Sequence, residues 1–304
     1  MNMKNSMIKA VAIAFAAATS ATAALLLTTG TASAQTPEKL HTIRIDNFSQ
    51  MQDYFRYEEG KPMIISGHRG GMLPGYPENS IEAMEKTLTF LPSFFEIDPQ
   101  MTKDSVIILM HDATFDRTTN LSGRVSDYTY AELKDVRLKD RQGNLTDIGI
   151  PTLEEALEWG KDKTIFNLDN KRIPWNRYVD LFKDGRYQNI VLSVRSMEEA
   201  LYYYERLDQV MLCVAIHNQS DLDDFIETGI PFNRIMAYVG YSIDPEHSEV
   251  YSFLRRKGVM CFIAIAPTAD KNPTDLERVK AYSEEMMKKP DIIETDYPSL
   301  FVNK

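Results

Sequence analysis

Short apolar runs that end in ionisable residues recur along the chain. Residues 63–65, 94–95 and 106–110 are apolar, and each run leads into polar side chains: Gly67-His68-Arg69-Gly70, Glu96-Ile97-Asp98 and His111-Asp112. Runs of this length and composition read as buried strands, here over 63–68, 94–98 and 106–111. Similar runs at 164–169, 189–194, 210–216, 234–239, 259–265 and 291–295 bring the predicted strands to nine. Helical spacing fills most of the intervals. In 79–91 the apolar positions are Ile81, Met84, Leu88 and Leu91, and helices are also expected over 152–159, 196–207 and 221–228, with a short one near 48–57. Thr152 reads as the N-cap of its helix, with Glu155 as the capping-box partner. Alternating strands and helices predict a parallel α/β fold. Periodicity alone leaves a barrel and a doubly wound sheet open, and nine strands is one more than an eight-stranded barrel holds. The second and third strands are joined by about seven residues, too few for a parallel crossover, so this join is expected to be irregular. Residues 113–150 are polar with few long apolar runs and read as an excursion from the main fold.

The ionisable ends of these strands carry the candidate chemistry, because α/β folds build their sites at one rim of the sheet or barrel. Glu96 and Asp98 are two apart, so on a strand both carboxylates point to one face. Two like charges held together call for a cation between them. His68 and His111 reach the same rim and can exchange protons near neutral pH, and Arg69 offers a planar fork of donors suited to phosphate oxygens.

The chain also resembles the glycerophosphodiester phosphodiesterase family. The resemblance rests on His68-Arg69-Gly70, Pro77-Glu78-Asn79-Ser80, Glu96-x-Asp98, Thr102-Lys103-Asp104, His111-Asp112 and Arg117-Thr118-Thr119, then Gly123, Glu132-Leu133, Ile150 to Glu155 and Thr295-Asp296-Tyr297-Pro298. It implies a distorted (β/α)8 TIM barrel with a small excursion after strand three. It also implies a metal-dependent phosphodiesterase releasing sn-glycerol 3-phosphate and an alcohol from a glycerophosphodiester. On that reading Glu96, Asp98 and Asp169 hold one divalent cation, and hard oxygen ligands favour Ca²⁺ or Mg²⁺. Arg69 and Lys171 bind the phosphate, leaving a net charge of +1 to meet one phosphodiester. His68 and His111 are the acid–base pair. Glu78 belongs to the site beside Arg69, Asp112 orients or braces, and Arg117 holds the following loop. Two departures stand out. Asp169-Asn170-Lys171 replaces the family's Glu-x-Lys, one methylene shorter at the ligand, and 261–267 replaces its Trp-Thr-Val-Asn segment. Trp175 is a candidate for the substrate wall, with Tyr241 and Tyr297 as weaker ones. His217 and His247 have no evident partners, and Trp159 reads as core. Two rivals remain: a phosphatidylinositol-type phospholipase C-like lyase, and a non-catalytic phosphate- or carbohydrate-binding barrel.

Residues 1–34 change the picture of where the protein works. Lys4 and Lys9 precede an Ala/Leu-rich run to Leu27 and a Thr-Ala-Ser-Ala exit, the layout of a cleavable signal peptide. Export to the periplasm or medium, with no stable membrane anchor after cleavage, is therefore expected, leaving 35–304 as one barrel domain. Losing the two lysines takes the net charge from −10 to −12, which argues against nucleic acid or an anionic membrane as partner. Cys213 and Cys261 lie within apolar runs and read as buried thiols.

Overall fold

The computed structural model describes residues 38–302; residues 1–34, expected to be a signal peptide, lie outside them. Eight parallel strands close into a barrel. In chain order the strands are β1 (Ile64–His68), β2 (Phe94–Ile97), β3 (Pro99–Met101), β4 (Ile107–Leu109), β5 (Phe166–Asp169), β6 (Ile190–Ser193), β7 (Met211–Ala215), β8 (Ile235–Gly240), β9 (Cys261–Ala264) and β10 (Ile292–Thr295). The barrel runs β1-β10-β9-β8-β7-β6-β5-β2, and β3 with β4 forms a separate two-stranded sheet. The helices are α1 (Phe48–Tyr54), α2 (Ile81–Leu88), α3 (Leu153–Gly160), α4 (Trp175–Phe182), α5 (Met197–Tyr204), α6 (Gln219–Glu227), α7 (Ser248–Arg256) and α8 (Asp275–Met287). This is a (β/α)8 TIM barrel, as expected. Thr152 caps α3 through the Glu155 capping box.

Strand alternation stacks the barrel interior in layers. The lowest layer is apolar: Phe94, Ile165, Val191, Met211, Met236 and Ile292 pack with Met51 and Phe55, from α1 and the residue after it, in one buried cluster. The rings of Phe55 and Phe94 meet edge to face at 5.5 Å. One layer further along β1, β2, β5 and β10 the interior turns polar, with Ser66, Glu96, Asn167 and Glu294 buried. A further two residues bring His68, Asp98, Asp169 and Asp296 to the upper rim. The alternate positions, such as Ile65, Phe95, Ile97, Phe166 and Leu168, face outward into the larger core under the helices.

The ninth predicted strand is not in the barrel. Residues 107–109 form β4, which pairs antiparallel with β3 in the register Pro99↔Leu109, Gln100↔Ile108 and Met101↔Ile107. The short join seen in the sequence is a hairpin turn, tightened by Thr102 Oγ1 bonds to Asp104 and Val106 and by Ser105 at φ 65°. The excursion therefore leaves the barrel directly after Asp98, not after a third barrel strand at 113. It returns at α3 and has its own core of Ile108, Met110, Phe115, Val125, Leu133 and Leu138. The apolar run at 106–110 resembles a barrel strand because it is just as buried, against this second core.

Phe115 is fully buried there, edge to face with Tyr128 at 5.8 Å. Phe115→Ala is expected to destabilise the protein by about 3–5 kcal/mol, measured by denaturant unfolding; a loss under 1 kcal/mol would show that this core contributes little.

Candidate active site

The upper rim opens into a cavity of about 940 Å³ that His68, Arg69, Glu96, His111, Asp169 and Lys171 all line. The turn after β1 sets the first two. Gly67 packs so closely on Phe95 that a Cβ would come within 2.7 Å of the ring. Arg69 at φ 54° and Gly70 at φ 91° then reverse the chain, a path that favours glycine. Asn79, also left-handed at φ 59°, takes part in the same turn: its N–H donates to Arg69 O at 2.8 Å. Its side chain clamps Asp98, with Nδ2 donating to Oδ2 at 2.6 Å and Oδ1 accepting from the Asp98 N–H at 3.0 Å.

Glu96, Asp98 and Asp169 each offer an oxygen, and the three lie within 4.8 Å of one another. Burial, and then the neighbouring Asp98, push Glu96 well above the usual carboxylate range. Burial also opposes charge on Asp98, but Lys171, Arg69 and the Asn79 hydrogen bond outweigh it and hold Asp98 below its ordinary value. Lys171 Nζ sits 3.0 Å from Asp98 Oδ1 and pairs with Asp169. Arg195 reaches Asp169 at 3.3 Å. Arg69 Nε is buried without a hydrogen bond, 3.6 Å from Asp98 Oδ2. Three clustered carboxylates offering only oxygen donors fit a hard divalent cation, and the unmet Arg69 donor beside them fits an anionic oxygen.

Each histidine is backed by a carboxylate. His68 Nδ1 is 2.6 Å from Asp296 Oδ1, and Nε2 lies 3.9 Å from Glu96 Oε2. Asp296 is fixed from behind: Arg141 donates to Oδ2 at 2.8 Å, and its own N–H donates to Asp270 at 2.6 Å. Burial works against protonation of His68, but Asp296 and Glu294 outweigh it and raise its pKa. His111 Nδ1 is 2.7 Å from Asp112 Oδ1, and Arg117 grips the other oxygen at 2.6 Å. Hydrogen bonding from Arg117 is the main cause that holds Asp112 down at about 2. Gln100 Nε2 donates to the Met110 and His111 carbonyls, pinning the loop that carries this histidine. Glu78 joins the two halves, accepting from Arg69 at 3.0 Å and from Arg117 at 2.8 Å.

The structure thus brings together the expected site residues except two wall candidates, Trp175 and Tyr297. Trp175 does not line the cavity: it begins α4, and its ring packs on Tyr202 of α5 at 5.3 Å. Tyr238, Tyr241 and Phe262 form the wall instead, Phe262 coming from the segment that departs from the family pattern. Tyr297 is held outside the lining between Arg141 and Arg278, at 4.9 and 4.2 Å. His217 packs on Tyr238 at 5.5 Å. Both cysteines are buried and free. Arg141, Asn79 and Glu294 were not anticipated as site residues, nor was Asp296 assigned a role, although Asn79 and Asp296 lie in quoted motifs.

Fold and site together define a TIM barrel with paired histidines, a carboxylate trio and phosphate-sized cationic groups at one rim. The chain belongs to the glycerophosphoryl diester phosphodiesterase family, whose model matches residues 68–219. A glycerophosphoryl diester phosphodiesterase from Parabacteroides distasonis is 43% identical with a TM-score of 0.84, over 86% of this chain and 92% of that one. Glycerophosphodiester phosphodiesterases from Bacillus altitudinis and Caldanaerobacter subterraneus are 38% and 37% identical, over 34% and 33% of this chain. The chain spans under half the length of these two curated relatives, 43% and 41%.

Asn79→Ala removes both bonds to Asp98 and leaves a side chain ill suited to positive φ. A loss of about 2–4 kcal/mol is expected, since the bond to the carboxylate contributes about 1.5–3 and the neutral one from the Asp98 N–H about 0.5–1.5. Unfolding that matches the parent protein would show that the clamp does not hold Asp98.

Proposed function

We propose that the protein is a divalent-cation-dependent phosphodiesterase that cleaves glycerophosphodiesters to sn-glycerol 3-phosphate and an alcohol. The observation that carries this reading is that two carboxylate-backed histidines line one cavity with Glu96, Asp169, Arg69 and Lys171, and buried Asp98 completes a carboxylate trio with Glu96 and Asp169. The names of the relatives point the same way.

A phosphodiester resists attack because of its negative charge. Arg69 and Lys171 bind its non-bridging oxygens and orient the phosphorus between the imidazoles. A cation held by Glu96, Asp98 and Asp169 would supply further neutralisation of those oxygens. One histidine takes the proton from the attacking hydroxyl through Nε2, and the other delivers a proton to the departing alkoxide. Asp296 and Asp112 hold the two rings by Nδ1, keep Nε2 toward the cavity and stabilise each imidazolium as it forms. Asp169 already meets both Lys171 and Arg195, so cation affinity depends on how it is shared.

The test is release of glycerol 3-phosphate from glycerophosphodiesters by chelated protein, with nothing added, with Mg²⁺ and with Ca²⁺. Turnover should return with a cation. It should fall by about 10²–10⁴ in His68→Ala and in His111→Ala, while the fold is retained. Asp296→Asn should move the pH limb set by His68 to lower pH, because Asp296 is what raises that group. Folded protein without turnover under either cation would overturn the reading, and a stable cyclic phosphate product would redirect it to a lyase.

We also propose that the chain is exported, on the strength of the Lys4/Lys9 flank, the apolar run and the Thr-Ala-Ser-Ala exit. N-terminal sequencing of the extracytoplasmic protein should begin at Gln35; intact Met1 on cytosolic protein would exclude export.

A further inference from the structure

Glu294 is a buried carboxyl that the proposed mechanism does not use. It sits in the polar layer of the barrel on β10, beside Ser66 of β1 in register, and is only 6% exposed. Among the described residues, the one hydrogen bond its side chain accepts comes from Ser66 Oγ to Oε2, at 3.2 Å. No arginine or lysine pairs with it among the described residues, unlike Glu78, Asp98 and Asp169. It lines the cavity with Asn167 and Ser193, themselves bonded at 2.9 Å, and with Cys213 and Tyr238. Burial pushes Glu294 up to about 7, although His68 pulls in the opposite direction. A nearly bare carboxyl at this depth is costly unless something donates to it. The barrel could have filled the position with an apolar side chain, as it does one layer below at Ile292.

We propose that Glu294, supported by Ser66, is a hydroxyl-reading subsite that takes the free hydroxyl groups of the substrate's glycerol moiety. The inference rests on the reading of the site as a glycerophosphodiesterase. The phosphate is held at the rim by Arg69 and Lys171, so one substituent must point down the barrel and the other out of the mouth. The closed end suits the small polyol common to all such substrates, and the open mouth leaves room for an alcohol of any size. A carboxyl oxygen facing a polyol accepts its hydroxyl hydrogens, and a substrate lacking them would leave the buried carboxyl unsatisfied. Sites built to hydrogen-bond a hydroxyl reject the deoxy analogue strongly for this reason. Tyr238 and Phe262, on the same wall, can cover the carbon skeleton.

The experiment compares two diesters that share one leaving alcohol, one built on glycerol 3-phosphate and the other on propyl phosphate. Both are assayed with the full-length protein loaded with Mg²⁺. The parent protein should prefer the glycerol diester in kcat/KM, and Glu294→Leu should erase about 10–100-fold of that preference. Glu294→Gln, which keeps an acceptor, should retain part of it. A change on the propyl diester reports the altered charge beside His68, which Glu294 helps to raise, and cancels in the ratio of the two diesters. Melting temperature should hold or rise in Glu294→Leu, since an apolar side chain replaces a poorly satisfied carboxyl. An unchanged preference, or an equal loss on both diesters, would overturn the subsite. If no diester is turned over, the reading of the reaction fails by itself. Calorimetry with glycerol 3-phosphate and propyl phosphate then decides the subsite: tighter binding of the first, lost in Glu294→Leu, supports it, and equal binding removes it.

Discussion

The constraint on which the site depends is the crowding of carboxylates inside a closed barrel. Strand alternation aims Glu96, Asp98, Asp169 and Glu294 into the same space, where burial makes each charge expensive and each neighbour more so. The protein resolves the conflict differently at each position. Asp98 receives Lys171, Arg69 and the Asn79 clamp, and stays ionised. Asp169 lies nearer the mouth and is shared by Lys171 and Arg195. Glu96 and Glu294 receive little, and both are pushed toward the neutral form. A cation at the trio would relieve this imbalance at its centre, which is the electrostatic reason for expecting one.

The two histidines face the same cavity from different foundations. His68 is part of the barrel, and its supporting carboxylate, Asp296, follows β10, the strand next to β1. His111 rides on the excursion, whose small core is separate from the core under the helices. The long connection from β2 to α3 thus carries one of the two proposed acid–base histidines without disturbing the barrel's register. It also reaches across to supply Arg141 to Asp296, so the histidine of the barrel is braced by the excursion as well.

Much of this could be read from the chain itself. The ends of the predicted strands placed His68, Arg69, Glu96, Asp98 and His111 at one rim, because strand geometry is local. The resemblance in the order of motifs added Asp169, Lys171 and Glu78. The excess strand was not resolvable: a buried apolar run has the same signature whichever core it faces. Its short join to the preceding strand was the available clue, and the hairpin between β3 and β4 is its cause. Trp175 misled because proximity in sequence to Lys171 says nothing of direction, and the first turn of α4 aims the ring at α5. Arg141 could not be found because a 155-residue separation joins it to Asp296. Glu294 sat unnoticed within a strand that otherwise reads as apolar.

Glu78 accepts hydrogen bonds from Arg69, on the turn after β1, and from Arg117, on the excursion. Arg117 in turn grips Asp112, which holds His111, while Arg69 adjoins His68. The separation of the two imidazoles is therefore gauged by a relay of opposite charges, and one carboxylate, Glu78, fixes the width of the slot between them.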